Sequence, residues 1–391
     1  MWLINATTLR LEQVVDEQQC RFVILSHTWM PRGEVSFQDM GDIKHVASRK
    51  PGFEKIRKTC EFARCHRFRY AWIDTCCIDK TSSAELSEAI NSMFRWYQKA
   101  AICYVFLSDF EPLHIEDFNL DFLITQETLV EDKLRGCRWF TRGWTLQELI
   151  APRYMNFFDK EWNFVGTKSG LSGPLHRITN IDESVLRDSS ILHTIPVASR
   201  MSWAAGRETT RIEDMAYCLL GIFDINMPML YGEGQKAFMR LQQRIASENA
   251  DLSLFAWQCA EQREYSGLFA DSPKDFAHCS KLITYHAQFS TNEIAITNIG
   301  MDGDLIEEAW ADVCEMEAVK VELSPDEQDW SVPETASPIY VVPRLLPADV
   351  QRLSAMGDIT IVLRHDKNLS ALLASSEGHP AAAYFPAGLP V

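Results

Sequence analysis

Four short apolar runs, each stopping at a polar cluster, constrain the fold of this chain more than any other feature. Phe22-Val23-Ile24-Leu25 stops at Ser26-His27-Thr28-Trp29, and Tyr70-Ala71-Trp72-Ile73 stops at Asp74-Thr75. The run 102–107 stops at Ser108-Asp109, and Met155-Asn156-Phe157-Phe158 stops at Asp159. Apolar runs of this length that do not alternate read as strands of a parallel sheet covered on both faces. Helical periodicity fills the gaps. One stripe is Phe53, Ile56, Cys60 and Ala63; another is Leu86, Ile90, Met93, Phe94 and Tyr97, after the capping box Ser82-x-x-Glu85. A third helix carries Trp144 and Glu148 and ends at Pro152, which lacks the N–H to continue it. The order β-α-β-α-β-α-β predicts right-handed crossovers and an α/β, doubly wound, mainly parallel sheet. Ligands of such sheets bind outside the carboxyl ends of the strands, where the polar clusters fall.

Residues 166–257 read as a helical extension, with helices at 202–221 and 234–248 and an ordered, Gly/Pro-punctuated loop at 223–232. Beyond 258, short runs at 294–296, 339–342 and 359–363 predict a small β-rich region, and the acidic segment 323–337 an exposed loop. Three parts follow: 1–165, 166–257 and 258–391.

A formal charge of -16 with no basic block argues against nucleic acid, whose phosphates such a surface repels. The start Met1-Trp2-Leu3-Ile4-Asn5 lacks a basic region followed by about 7–15 apolar residues. No run approaches the ~20 apolar residues that span a bilayer. The chain therefore reads as soluble and cytoplasmic, with no membrane partner, eleven reduced cysteines and silent sequons at Asn5 and Asn368. The spacings Cys60–Cys65–His66 and Cys76–Cys77 lack the paired C-x2-C of a zinc site, so no metal is expected.

The stretch Arg142-Gly143-Trp144-Thr145-Leu146-Gln147-Glu148-Leu149 sets a carboxylate four residues after a tryptophan, on one helical face. A flat ring beside an acid can hold a planar cation and stabilise developing positive charge. The plainer reading is a surface glutamate and a core tryptophan. Arg142 opposes the dipole at the helix start, which suits a residue that binds phosphate or carboxylate, or one that is simply solvated. Adjacent Ser26 and His27 do not make a nucleophile pair, and no G-x-S-x-G elbow is present. His27 is either a loop-fixing residue or a ligand contact. Trp29 either caps a ligand or covers the sheet. Asp74 suits sugar hydroxyls or a leaving base, or else caps the next turn. Cys77 has no activating base nearby in sequence. Gly232-Glu233-Gly234-Gln235-Lys236 lacks the phosphate-loop pattern and reads as a turn opening a helix.

Several ordered motifs resemble the fungal heterokaryon incompatibility (HET) domain. They are Ile24-Leu25-Ser26-His27-Thr28-Trp29, the stretch from Tyr70 through Asp74-Thr75-Cys76-Cys77-Ile78-Asp79-Lys80, and Ser87-Glu88-Ala89-Ile90-Asn91-Ser92-Met93-Phe94. Arg138-Trp139-Phe140-Thr141 running into the Glu148 segment, and Arg211-Ile212-Glu213-Asp214-Met215-Ala216-Tyr217, complete the set. The resemblance covers residues 1–257 and implies a protein of non-self recognition that triggers cell death when unlike hyphae fuse. HET domains are in turn similar to TIR domains, implying a TIR/flavodoxin-like sheet and, in some members, cleavage of NAD. By that resemblance Glu148 matches the catalytic acid. Ser26, His27, Trp29, Asp74, Arg142 and Trp144 are the candidates for binding NAD, a substrate and not a permanently bound cofactor. Self-association and an incompatibility partner protein are implied as well. Two alternatives stand beside this: a non-catalytic death-signalling interaction module, and a HET-type protein recruited to small-molecule metabolism.

Overall fold

The computed structural model describes residues 1–285 apart from 16–19, 114–125, 250, 260–264 and 267. Beyond 285 it describes 295–296, 301–302, 340–343 and 385–386. The segments 323–337 and 359–363 lie outside the described residues. Contacts divide the chain into two compact units, one of residues 1–193 with 206–241, the other of 194–205 with 242–391.

In the first unit, seven strands form one sheet. They are β1 (Trp2–Asn5), β2 (Leu11–Gln13), β3 (Phe22–His27), β4 (Tyr70–Trp72), β5 (Ile102–Phe106), β6 (Met155–Phe158) and β7 (Phe164–Thr167), in the order β2-β1-β4-β3-β5-β6-β7. The four apolar runs are β3 to β6, and all their pairings are parallel. The sheet is nonetheless mixed: β1 pairs antiparallel with β2 and β4, and β7 antiparallel with β6. The edge strands β2 and β7 are short and partly exposed, so they lack the continuous apolar run that marks the centre.

Helices α1 (Phe53–Cys65) and α2 (Ser83–Lys99) cover opposite faces. On the α1 face Phe62 stacks on Phe158 at 4.7 Å and tilts against Tyr104 at 5.7 Å. On the other, Trp72 of β4 packs edge-on against Trp96 and Tyr97 of α2, at 5.5 and 5.9 Å. Covering both faces is why β3 is buried at all six positions. Of the capping box expected at the α2 start one half forms: Ser82 Oγ accepts from the Glu85 amide at 3.3 Å, while the Ser82 amide donates to the Asp79 carbonyl at 3.2 Å.

The third crossover contains α3 (Gln126–Arg135) and α4 (Trp144–Ile150). Gly143, which opens α4, is required by space: a Cβ there would lie 2.5 Å from Thr209 Cγ2 and 3.1 Å from Cys218 Sγ. Its amide donates to the Glu208 carbonyl at 2.9 Å, and the Glu208 amide to Thr141 at 2.7 Å. That pairing breaks the single helix expected over 202–221. After α5 (Ser172–Thr179) and α6 (Glu183–Arg187), α7 (Val197–Ser202) stops, and helix resumes only as α8 (Asp214–Tyr217) and α9 (Leu220–Phe223).

The stretch before α10 (Lys236–Glu248) is the turn its glycines suggest, with φ of +105° at Gly232 and +62° at Gly234. Its amides do hold an anion. Gly232 N and Gly234 N donate to Glu213 Oε1, at 2.8 and 3.1 Å, so the chain's own carboxylate fills this nest.

In the second unit, α7 is tied down by Asp251 Oδ2 accepting from the Val197 amide at 2.8 Å and Ser253 Oγ from the Ala198 amide at 3.0 Å. Two-stranded pairs follow: Leu282–Tyr285 with Tyr340–Pro343, Ala295–Ile296 with Met301–Asp302, and Tyr265–Ser266 with Phe385–Pro386. Among the described residues no helix is long and apolar enough to cross a membrane.

Candidate active site at the strand ends

Successive side chains of a strand point to opposite faces, so Ser26 and His27 at the end of β3 head two separate groups. On the α4 face, Ser26 Oγ donates to Glu148 Oε2 at 2.5 Å and accepts from the indole N–H of Trp139 at 2.8 Å. Glu148 is 4% exposed. It is also hydrogen-bonded to Tyr97, whose hydroxyl donates to the Leu25 carbonyl at 3.0 Å. Burial, then the charge of Asp74, push the Glu148 carboxyl up to about 8, against the bonds from Ser26 and Tyr97 and the charge of Arg207. Arg207 is itself buried, its guanidinium donating to the Arg142 carbonyl at 2.8 Å and Thr145 Oγ1 at 2.9 Å.

On the other side of β3 lies a chain of charges. Lys55 of α1, 3% exposed, donates to Glu34 Oε1 at 2.5 Å, to His27 Nδ1 at 2.9 Å and to the Thr28 carbonyl at 3.0 Å. An ammonium cannot accept, so His27 Nδ1 does, and the ring proton sits on Nε2. Nε2 then donates to Asp74 Oδ1 at 3.0 Å, while the Trp29 indole N–H donates to Asp74 Oδ2 at 2.8 Å. Burial opposes ionisation of Asp74. The bond from His27, the charge of Lys80 and the Trp29 bond outweigh it and hold the carboxyl below its usual range.

Trp29 is 50% exposed, with Lys80 Nζ 4.0 Å from its ring centroid. Arg138 Nη2 donates to the Trp29 carbonyl at 3.3 Å, and the Arg138 amide to Asp109 Oδ2 at 2.8 Å. Asp74, just past β4, and Glu148, on α4, are thus two carboxyls pushed in opposite directions, Asp74 down and Glu148 up. Environments that separate two acids in this way are how acid and base roles are divided.

Ser26 is brought to Glu148, and His27, Trp29 and Asp74 are brought to one another. The side chains of Arg142 and Trp144 are in neither group. The Arg142 guanidinium donates to Thr210 Oγ1 at 3.0 Å, and Trp144 is hydrogen-bonded to Asp214, which also takes the Tyr231 hydroxyl at 2.9 Å. The tryptophan that shares a partner with Glu148 is Trp139. Cys77 Sγ accepts from the Ile73 amide at 3.4 Å, and burial pushes the neighbouring Cys76 thiol well above its usual range. Tyr97, Trp139, Lys55, Glu34, Lys80, Arg138 and Arg207 were not candidates from sequence. Only Lys80, Trp139 and Arg138 carried a signal, as members of the motifs around Asp74 and Glu148. Among the described residues no group of three or more His, Cys, Asp or Glu is placed to hold a metal.

Residues 22–118 match the family model of the heterokaryon incompatibility protein (HET). That stretch is similar to the HET domain. Over 234 residues it is 44% identical to the vegetative incompatibility protein HET-E-1 of Podospora anserina, a match covering 59% of this chain and 16% of that protein. No solved structure matches. The family match contains the whole His27–Asp74 side of the site, but not Glu148.

Proposed function

We propose that this chain acts in heterokaryon incompatibility, triggering cell death by cleaving the N-glycosidic bond of NAD at the strand ends of its α/β unit. The family match and the identity to an incompatibility protein support the biological part. The chemical part rests on one observation: at the end of β3 an Asp74 held below its usual range and a Glu148 raised to about 8 stand on opposite sides of the strand, near enough for the charge of Asp74 to act on Glu148. The parallel strands run second-first-third-fourth, which supports a TIR/flavodoxin-like class. In that order the ligand crevice falls between β3 and β5.

In this reading the pyridinium ring enters beside Asp74, and its charge draws Glu148 into its carboxylate form. Glycosidic cleavage breaks the bond between ribose C1′ and the pyridinium nitrogen. The electron pair goes to that nitrogen, releasing neutral nicotinamide. Glu148 stabilises the ribosyl cation until water adds to C1′ and gives up a proton. Arg138, exposed at the rim, answers the dinucleotide's phosphates in place of Arg142. Self-association completes the site, so activity per chain rises with protein concentration.

A second reading has its own observation. Glu148 is 4% exposed and its carboxyl is hydrogen-bonded to both Ser26 and Tyr97, as in a structural lock between β3 and α4. The domain would then signal by protein contact alone. Purified chain incubated with NAD at low and high concentration decides between them, read as nicotinamide released. Concentration-dependent turnover supports cleavage. No turnover, together with killing that survives Glu148→Gln in cells, establishes the contact module.

A further inference from the structure

The pairing of flat ring and acid that the sequence placed at Trp144 and Glu148 exists in the fold at another position. The indole N–H of Trp29 is bonded to Asp74 Oδ2 at 2.8 Å, which fixes a carboxylate at the ring edge and leaves the ring face half exposed. The other carboxylate oxygen is held by His27, so the acid cannot turn away. Lys55 and Glu34 hold His27 from behind. An aromatic face with an oriented carboxylate beside it binds organic cations. One cation is already there: Lys80 Nζ lies 4.0 Å from the ring centroid, and the charges of Asp74 and Glu34 act on it.

We propose that Trp29 and Asp74 form a cage for a planar organic cation of the N-alkylpyridinium class, and that Lys80 is an internal stand-in the ligand must displace. The ligand class comes from the pyridine-nucleotide reading above. A pyridinium stacks its whole ring on the indole and spreads its charge toward the carboxylate, whereas an ammonium touches the face at one point. Lys80 is exposed and its tether is flexible, so it can swing into solvent. It therefore acts as a competitor built into the chain, setting a threshold that the ligand concentration must exceed.

The test is an NMR titration of the full chain with N1-methylnicotinamide, following the Trp29 indole N–H, with neutral nicotinamide in parallel. Trp29→Leu assigns the resonance. Circular dichroism of each variant checks that its fold is kept. The cage predicts that the cation binds and the neutral ring does not. It also predicts about tenfold tighter binding in Lys80→Gln, wild-type behaviour in Lys80→Arg, and loss of binding in Asp74→Asn. Equal binding of the two rings, or an unchanged midpoint in Lys80→Gln, overturns it. N1-methylnicotinamide has no glycosidic bond, so the titration is blind to turnover. A chain inert toward NAD that still selects the cation upholds the cage and refutes the cleavage reading. A chain that cleaves NAD while Lys80→Gln binds no tighter refutes only the cage.

Discussion

Glutamine in place of Glu148 keeps the side chain's shape, and its amide oxygen still accepts from Ser26. What it removes is a titration. The carboxyl moves from 4.5 in the unfolded chain to about 8 in the fold, chiefly through burial. Between those values the folded protein keeps a proton that the unfolded chain has released, so stability falls as pH rises through the window and levels off above it. At about 1.4 kcal/mol per unit, the cost is under about 1 kcal/mol at pH 5, about 3 at pH 7 and about 5 above pH 9. Glu148→Gln is therefore expected to match the wild type near pH 5 and to exceed it by about those amounts as pH rises. Urea midpoints followed by circular dichroism at pH 5, 7 and 9 read the difference. A variant less stable than wild type at pH 9, or a gain that does not change with pH, would refute the claim that this acid is held protonated by its surroundings.

The same titration governs activity: kcat/KM for NAD is expected to rise about tenfold per pH unit to an apparent pKa near 8 and then level, and a flat profile from pH 6 to 9 contradicts it. Gly221→Ala would place a Cβ 2.1 Å from Phe94 Cβ, where α9 meets α2, and is expected to cost about 1–3 kcal/mol or more. An unchanged melting temperature would show that the two helices part freely. Lys168 is 3% exposed and donates to the Ile150 and Pro152 carbonyls, at 3.1 and 2.8 Å, at the end of α4. Burial brings its pKa down from 10.5 to about 7, so between those values the fold binds fewer protons than the unfolded chain and gains stability as pH rises. Relative to Lys168→Met, the wild type should gain up to about 1.4 kcal/mol per pH unit above 7, and parallel urea midpoints at pH 7 and 9.5 would exclude this.

What the sequence revealed follows the range of each interaction. Strands β3 to β6 were legible because burial on both faces leaves a mainly apolar run, whereas β1, β2 and β7 are short outer strands, β2 and β7 at the edges, whose partners make them strands. The boundary at Leu25 fell too early. Ser26 and His27 continue β3, and once they do, alternation sends them to opposite faces. The Trp144–Glu148 spacing was read on a helix that turns out to begin at Trp144, whose ring goes to Asp214. The partners of Glu148 are Ser26 of β3, which also takes the Trp139 indole N–H, and Tyr97 of α2, contacts set by packing of helices on the sheet. The helix expected over 202–221 is broken because Glu208 pairs with Thr141 and Gly143, a partnership no local periodicity encodes.

The central claim is tested most directly by nicotinamide release from NAD at pH 9, where Glu148 is ionised, comparing the full wild-type chain with Glu148→Gln at equal protein concentration. The account predicts turnover in the wild type and a loss of about 10²–10⁴ in the variant, the scale of one catalytic side chain. Equal release from both proteins, or none from a folded wild type at any concentration, would contradict it.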